Sequence, residues 1–306
     1  MDGLKDERID RIDQLYEAVQ KYQECNAFKE LRKMICNFPR LSPYNAMMVA
    51  IQKPGSSYVA SMKTWHNMFG RHVKPDARPL IILRNFGPID FVYEYNDTEG
   101  PEIDKSILDV KLLHPFETNQ VIAESQYANF IVEMMYDGIL YEEKDYGTDL
   151  AARIYSYHGT QFLPHGARGK IKEAKVCAKV DVQKNLKTTA KFASILHELG
   201  HFYCGHLGRL GTKFLPERYD NPSEDTREFE AETVAWLCCE RLGIKNPSKE
   251  YLANYTQDGN IPPVMISAIL KAAGNVERLI RGKATLRKEL QVKHSMDELL
   301  NFFKPL

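Results

Sequence analysis

The sequence predicts an α+β protein in two parts: a small N-terminal α+β module (1–112) and a mostly helical module with a small sheet (113–306). Three observations predict it. Apolar residues recur at helical spacing near the start and through most of the second half. Two short runs, "PLIIL" and "FVYEY", are β-type and separated by turn residues. The stretch Asp97–Pro115, rich in Asp, Glu, Gly and Pro, reads as a linker.

In chain order, Ile9, Ile12, Leu15, Tyr16 and Val19 fall on one face of a helix expected from Asp6 to Cys36. Ser42-Pro43 is an N-cap followed by proline at the first helical position. It opens a helix through Ala46, Met47, Val49, Ala50 and Ile51. A third helix is expected from Ser61 to Gly70, and the two strands follow it. Beyond the linker come a helix around Asn119–Tyr136, extended pieces at Arg153–Tyr157 and Ala174–Asp181, and a mostly helical remainder. No internal repeat or low-complexity tract interrupts this order.

Composition narrows the function classes. Lys plus Arg and Asp plus Glu number 41 each, so net charge gives no argument for nucleic acid or an anionic membrane. No apolar run approaches a bilayer span, and the start, "MDGLKDERID", lacks the apolar segment of a signal peptide. The 6 cysteines contain no C-x-x-C pair, which points to a reduced, cytoplasmic setting without a membrane partner.

The chemistry concentrates in "ILHELGHFYCGH", which holds H-E-x-x-H at His197, Glu198 and His201. Residues four apart on a helix sit one above the other, so both imidazoles can reach one ion. Glu198, about 100° round, can take a proton from a water without binding metal. Phe192, Ile195, Leu196, Leu199, Phe202 and Tyr203 form an apolar stripe on the other side, which suits a cleft wall. A third ligand in the pattern H-E-x-x-H-x-x-G-x-x-H would need Gly at 204 and His at 207. The chain has Cys204 and Leu207 there. If the helix continues, His206 turns about 140° from His201 onto the apolar face, a packed or helix-end position. Cys204 reads as structural.

A second helix, "PSEDTREFEAETVAWLCCERLGI", is capped near Ser223, ends at Gly243, and is apolar all round past its first turn. A buried helix should not carry Glu228 and Glu232 on one face unless a cation offsets their desolvation. The set His197, His201 and Glu228 follows, with Glu198 as base and Glu232 orienting a ligand imidazole. Glu230 faces elsewhere, as a surface or ion-paired residue. Tyr203, Tyr219, His158 and His165 all stay open as the donor for an oxyanion. In the first module Lys63, Arg71, Lys74 and Arg78, with His66 and His72, surround Trp65. The cluster could grip a single strand of DNA, although Trp65 fits a core position equally.

"ILHELGH" with "REFEAETVAWLCCERLGI" resembles the zinc-peptidase domain of ArdC-like antirestriction proteins and, more distantly, the ImmA/IrrE metallopeptidases. "SKEYLANYTQDGNIPPVMISAILKAA" is similar to that family's closing helices. The stretch from Ser42 to Leu83, with Tyr44, Asn45, Trp65, Gly70 and Val73, resembles the ArdC-type N-terminal domain, as does "FVYEYNDTEG". Where that domain usually has Lys-Gly after the valine, this chain has "VKPDARP". The resemblance implies a zincin-like C-terminal domain holding one Zn²⁺ and an N-terminal domain that binds single-stranded DNA. The expected function is a zinc-dependent metallopeptidase acting on a protein or peptide, coupled to DNA binding in an antirestriction-like role. A non-proteolytic DNA-protecting protein with a structural metal, or a regulator that cleaves a repressor, are the alternatives.

Overall fold

The computed structural model describes residues 25–84, 87–113, 121–146, 150–165, 170–218, 220–244 and 261–292. The protein is α+β, and it divides into two compact units. One comprises the described residues up to Val121 together with Pro222–Gly274; the other comprises Ile122–Asn221 and the described residues from Asn275 on. The first break falls between Val121 and Ile122. The helix that carries Glu228 groups with the N-terminal residues.

The first unit opens with helices α1 (Cys25–Cys36) and α2 (Pro43–Gln52). The part of the first helix expected before Cys25 lies outside the described residues. At α2 the Ser42 side chain accepts from Asn45 N with Pro43 in the first turn, as the sequence predicts. Helix α3 (Met62–Phe69) is capped by Ser61 and stopped by Gly70, whose φ of 63° suits a residue without Cβ. Strands β1 (Val59–Ala60), β3 (Leu80–Arg84) and β4 (Gly87–Glu94) form an antiparallel sheet in the order β1-β4-β3. Strands β2 (His72–Val73) and β5 (Thr98–Glu99) form a separate pair. Helix α4 (Lys105–Leu108) and a π turn (Asp109–Leu113) follow.

This last stretch corrects the expectation of a linker. Leu108 and Leu112 are buried in one cluster with Ala60, Trp65 and Phe69. Two leucines spaced one helical turn apart reach the same apolar cluster, which outweighs the polar composition around them. Helix α7 (Glu224–Leu242) completes the unit. Phe229 stacks obliquely on Phe28 of α1 at 5.7 Å, and the buried Arg241 guanidinium donates to Ile35 O at 2.7 Å and Leu41 O at 2.5 Å. Helix α8 (Ile266–Ile280) contains the division at Gly274. Residues 248–260, expected to belong to the closing helices, lie outside the described residues.

The second unit contains α5 (Glu124–Met135), β6 (Ile139–Lys144), β7 (Ala152–His165), β8 (Lys170–Gln183) and α6 (Thr188–Tyr203). The sheet order is β6-β8-β7, with β6 parallel and β7 antiparallel to the central β8. Along β8, Ala174, Val176, Ala178, Val180 and Val182 alternate inward and are all buried. Helix α6 lies against β7 and β8, burying Phe192, Ile195, Leu196, Leu199 and Phe202 completely. At about 1.5–3 kcal/mol per large apolar side chain, this stripe fixes which face of α6 is left to carry other chemistry. Phe130 of α5 meets Phe192 edge-on at 5.0 Å. Among the described residues no helix is long and apolar enough to cross a membrane.

Candidate metal centre

The apolar stripe of α6 turns His197, Glu198 and His201 to the side away from the buried stripe, where all three are half-buried. The two imidazoles stand with their Nε2 atoms 3.1 Å apart. Two nitrogens each roughly 2.0–2.1 Å from one tetrahedral ion would sit roughly 3.3 Å from each other. The separation of the two nitrogens is close to that spacing.

Of the two positions expected for His206, packed on the apolar face or at the helix end, the structure gives the helix end. Helix α6 ends at Tyr203, and Gly205 adopts φ 80°. Gly205 N then donates to Phe202 O at 3.1 Å and His206 N to His201 O at 3.0 Å, the paired bonds of a Schellman stop. The chain folds back one turn, and His206 Nδ1 comes to 3.0 Å from His201 Nδ1. An ion bound through Nε2 would leave the Nδ1 of His201 to hydrogen-bond with His206. The signal was present: a glycine just past the last periodic residue marks a C-terminal stop, and continuing the helix through it sends His206 the wrong way. A Cβ at Gly205 would lie 2.6 Å from Pro216 O, so glycine is needed for space as well as conformation. Arg218 secures the returning loop. It forms a two-pronged pair with Asp220, both bonds at 2.7 Å, and reaches Cys204 O at 3.4 Å. The Arg218 guanidinium holds the Asp220 carboxyl below its usual range.

Glu228 and Glu232 stand one turn apart on α7, Glu228 half-buried and Glu232 nearly inaccessible. Ser223 caps the helix by accepting from Thr226 N, and Gly243 ends it in the left-handed conformation. Of the two expectations for Glu230, a surface or an ion-paired residue, burial removes the surface one. It is fully buried and accepts the Met265 N–H at 2.7 Å, so its carboxylate closes a backbone group rather than meeting solvent.

Of the open oxyanion donors, Tyr203 is eliminated. Its hydroxyl is buried and donates to Asp137 at 2.6 Å, and burial with the Asp137 charge pushes its pKa well up. His158 is exposed on β7. Tyr219 and the His165 side chain lie outside the described residues.

The expected nucleic-acid contacts divide. Trp65 is fully buried, and its Nε1 donates to Tyr93 O at 2.8 Å, so no face of the indole is open to a base. Arg71 is buried as well. It donates to Thr98 Oγ1 at 2.8 Å, Thr98 O at 2.7 Å and Pro101 O at 2.6 Å, and lies 4.2 Å over the Tyr95 ring. Both residues hold the first unit together. Lys63, Lys74 and Arg78 are exposed, with Lys74 Nζ 2.9 Å from Asn96 O.

No family model and no curated protein matches this chain. A similar solved structure is the antirestriction ArdC protein from plasmid R388 in metal-free form, 14% identical over 78% of this chain and 82% of that one, with a TM-score of 0.32. Neither fold nor function is inferred from a likeness that weak.

Proposed function

We propose that the chain is a zinc-dependent metallopeptidase of the HExxH-plus-glutamate type. His197, His201 and Glu228 are the ligands, Glu198 is the general base, and Glu232 orients a ligand imidazole. The observation that carries this reading is the 3.1 Å approach of the His197 and His201 Nε2 atoms beside a glutamate in the same turn.

An ion held there by His197, His201 and Glu228 would supply Lewis acidity toward a peptide carbonyl and would bring the pKa of a water to about 7. Glu198 would receive, at its carboxylate, the proton of the water that attacks the carbonyl carbon. It passes the proton to the leaving amine when the C–N bond breaks, so one water is consumed per peptide bond. His206 keeps the His201 imidazole in the tautomer whose Nε2 lone pair is available.

The fuller form of the proposal adds single-stranded DNA binding by the first unit, in an antirestriction-like role, through the exposed Lys63, Lys74 and Arg78. The test of the peptidase reading is digestion of denatured casein by the zinc-loaded protein. Glu198→Gln should lower the rate by about 10²-fold or more with zinc content unchanged. Equal rates for the two proteins would remove Glu198 from the chemistry.

A further inference from the structure

The C-terminal end of α8 repeats the turn found after α6. Gly282 adopts φ 63°, Gly282 N donates to Leu279 O at 3.0 Å, and Lys283 N donates to Arg278 O at 3.1 Å. Where the first stop brings His206 onto His201, this one gathers Arg278 and Lys283 at a common rim. With Lys172 of β8, and with Arg287 and Lys288 from the segment that follows, they line a cavity of about 780 Å³ within the second unit. Five cationic side chains and no carboxylate line it.

Cations at a helix C-terminus complement its dipole, which accounts for Arg278 and Lys283. It does not account for Lys172, Arg287 and Lys288. The two guanidiniums are fixed from behind by Asp137, which is fully buried. It accepts from Arg278 Nη2, from Arg287 Nε at 2.8 Å and Nη2 at 3.0 Å, and from the Tyr203 hydroxyl. The Arg287 guanidinium also lies flat over the Phe214 ring, 3.9 Å from its centre. Lys172 Nζ donates to the neutral Gln291 Oε1 at 3.0 Å. Among the described residues no carboxylate pairs with Lys283 or Lys288, and both are exposed. Asp137 thus holds two of the five cations in fixed orientation at the wall, and Glu133 stands beside the turn, accepting the Ala284 N–H at 2.6 Å.

We propose that this cavity binds a phosphate-bearing small molecule of nucleotide size, with its oligophosphate gripped by Arg278, Lys283, Arg287 and Lys288. Arg287 commits Nε and Nη2 to Asp137 and Asn275, which leaves its Nη1 for a phosphate oxygen beside the Arg278 guanidinium, and lysines on a rim add mobile point charges. The volume falls in the range of about 300–1,000 Å³ typical of small-ligand sites. A polynucleotide would call for a basic stripe running beyond one concavity. The chain's net charge of +0 leaves this cluster as a local feature.

Calorimetric titration of the full-length protein with ATP, inorganic pyrophosphate, adenosine and a thymidine oligonucleotide tests the proposal. ATP and pyrophosphate should bind and adenosine should not. The double variant Lys283→Glu/Lys288→Glu should weaken both by about tenfold or more at an unchanged melting temperature. Any chelation of a protein-held ion is common to both proteins, so the difference between them reports the cavity. The proposal is overturned if ATP and pyrophosphate fail to bind, if only the oligonucleotide binds, if adenosine binds as well as ATP, or if the double variant matches the parent.

Discussion

His206 stands with its Nδ1 3.0 Å from the Nδ1 of His201, on the opposite side of that ring from His197. Three imidazoles thus form a chain in which only the last residue lies outside the helix. Replacing His206 with Ala should weaken zinc binding by about 10- to 100-fold, the usual effect of removing the partner of a ligand histidine. Competition against a chromophoric chelator measures it. Gly205→Ala should produce the same weakening by a different route, since the positive φ and the 2.6 Å approach to Pro216 O both forbid a side chain. It should also cost at least about 1–2 kcal/mol of stability, read by urea unfolding. Zinc affinity unchanged in both variants would separate His206 from the metal.

Trp65 and the surface lysines should behave as opposites. Trp65→Ala should destabilise the protein by about 3–5 kcal/mol, because it empties a fully buried site and orphans Tyr93 O. Trp65→Phe should leave affinity for an oligothymidine unchanged. Lys63→Ala, Lys74→Ala and Arg78→Ala should leave melting unchanged while each lowers the salt dependence of single-strand binding by about 0.7 in log–log slope. Reduced DNA affinity in a folded Trp65→Phe protein would contradict the placement of the indole.

Asp181 gives the second unit an acid dependence. Fully buried on β8, it accepts from the Tyr146 hydroxyl at 2.6 Å, Lys144 Nζ at 3.0 Å and Arg153 Nη2 at 3.2 Å. Burial alone would raise its carboxyl pKa, but these donors together hold it below the usual range. A depressed carboxyl stabilises the fold above its unfolded value of about 3.9, and that contribution is lost as pH falls through the lower folded value. Asp181→Asn should therefore be less stable than the parent at neutral pH, and the gap should close on acidification. Urea midpoints across the acid range test this. A gap that widens as pH falls would reverse the assignment.

Much of this molecule could be read from the chain before its coordinates. The caps at Ser42, Ser61 and Ser223 and the stops at Gly70 and Gly243 are local rules, satisfied by side chains within a few residues of the backbone they serve. The histidine face of α6 was equally legible, because the stripe from Phe192 to Tyr203 leaves the imidazoles no other direction. What escaped depends on contacts distant in sequence. Strand β6, "ILYEEK", carries too few apolar residues to announce itself and exists because it pairs in parallel with β8. Arg71 reads as a basic surface residue until Thr98, Gly100 and Pro101 supply the carbonyls and hydroxyl that bury it. Asp137 and the arginines it holds are separated by more than a hundred residues, and no periodicity links them.

The account stands most directly on zinc stoichiometry and affinity in five proteins: the parent, His197→Ala, His201→Ala, Glu228→Ala and Glu198→Gln. The parent and Glu198→Gln should each hold about one zinc with matching affinity, and the three ligand variants should lose it at the same free-zinc concentration. Zinc retained at parental affinity after Glu228→Ala, or absent from the parent, would contradict the account.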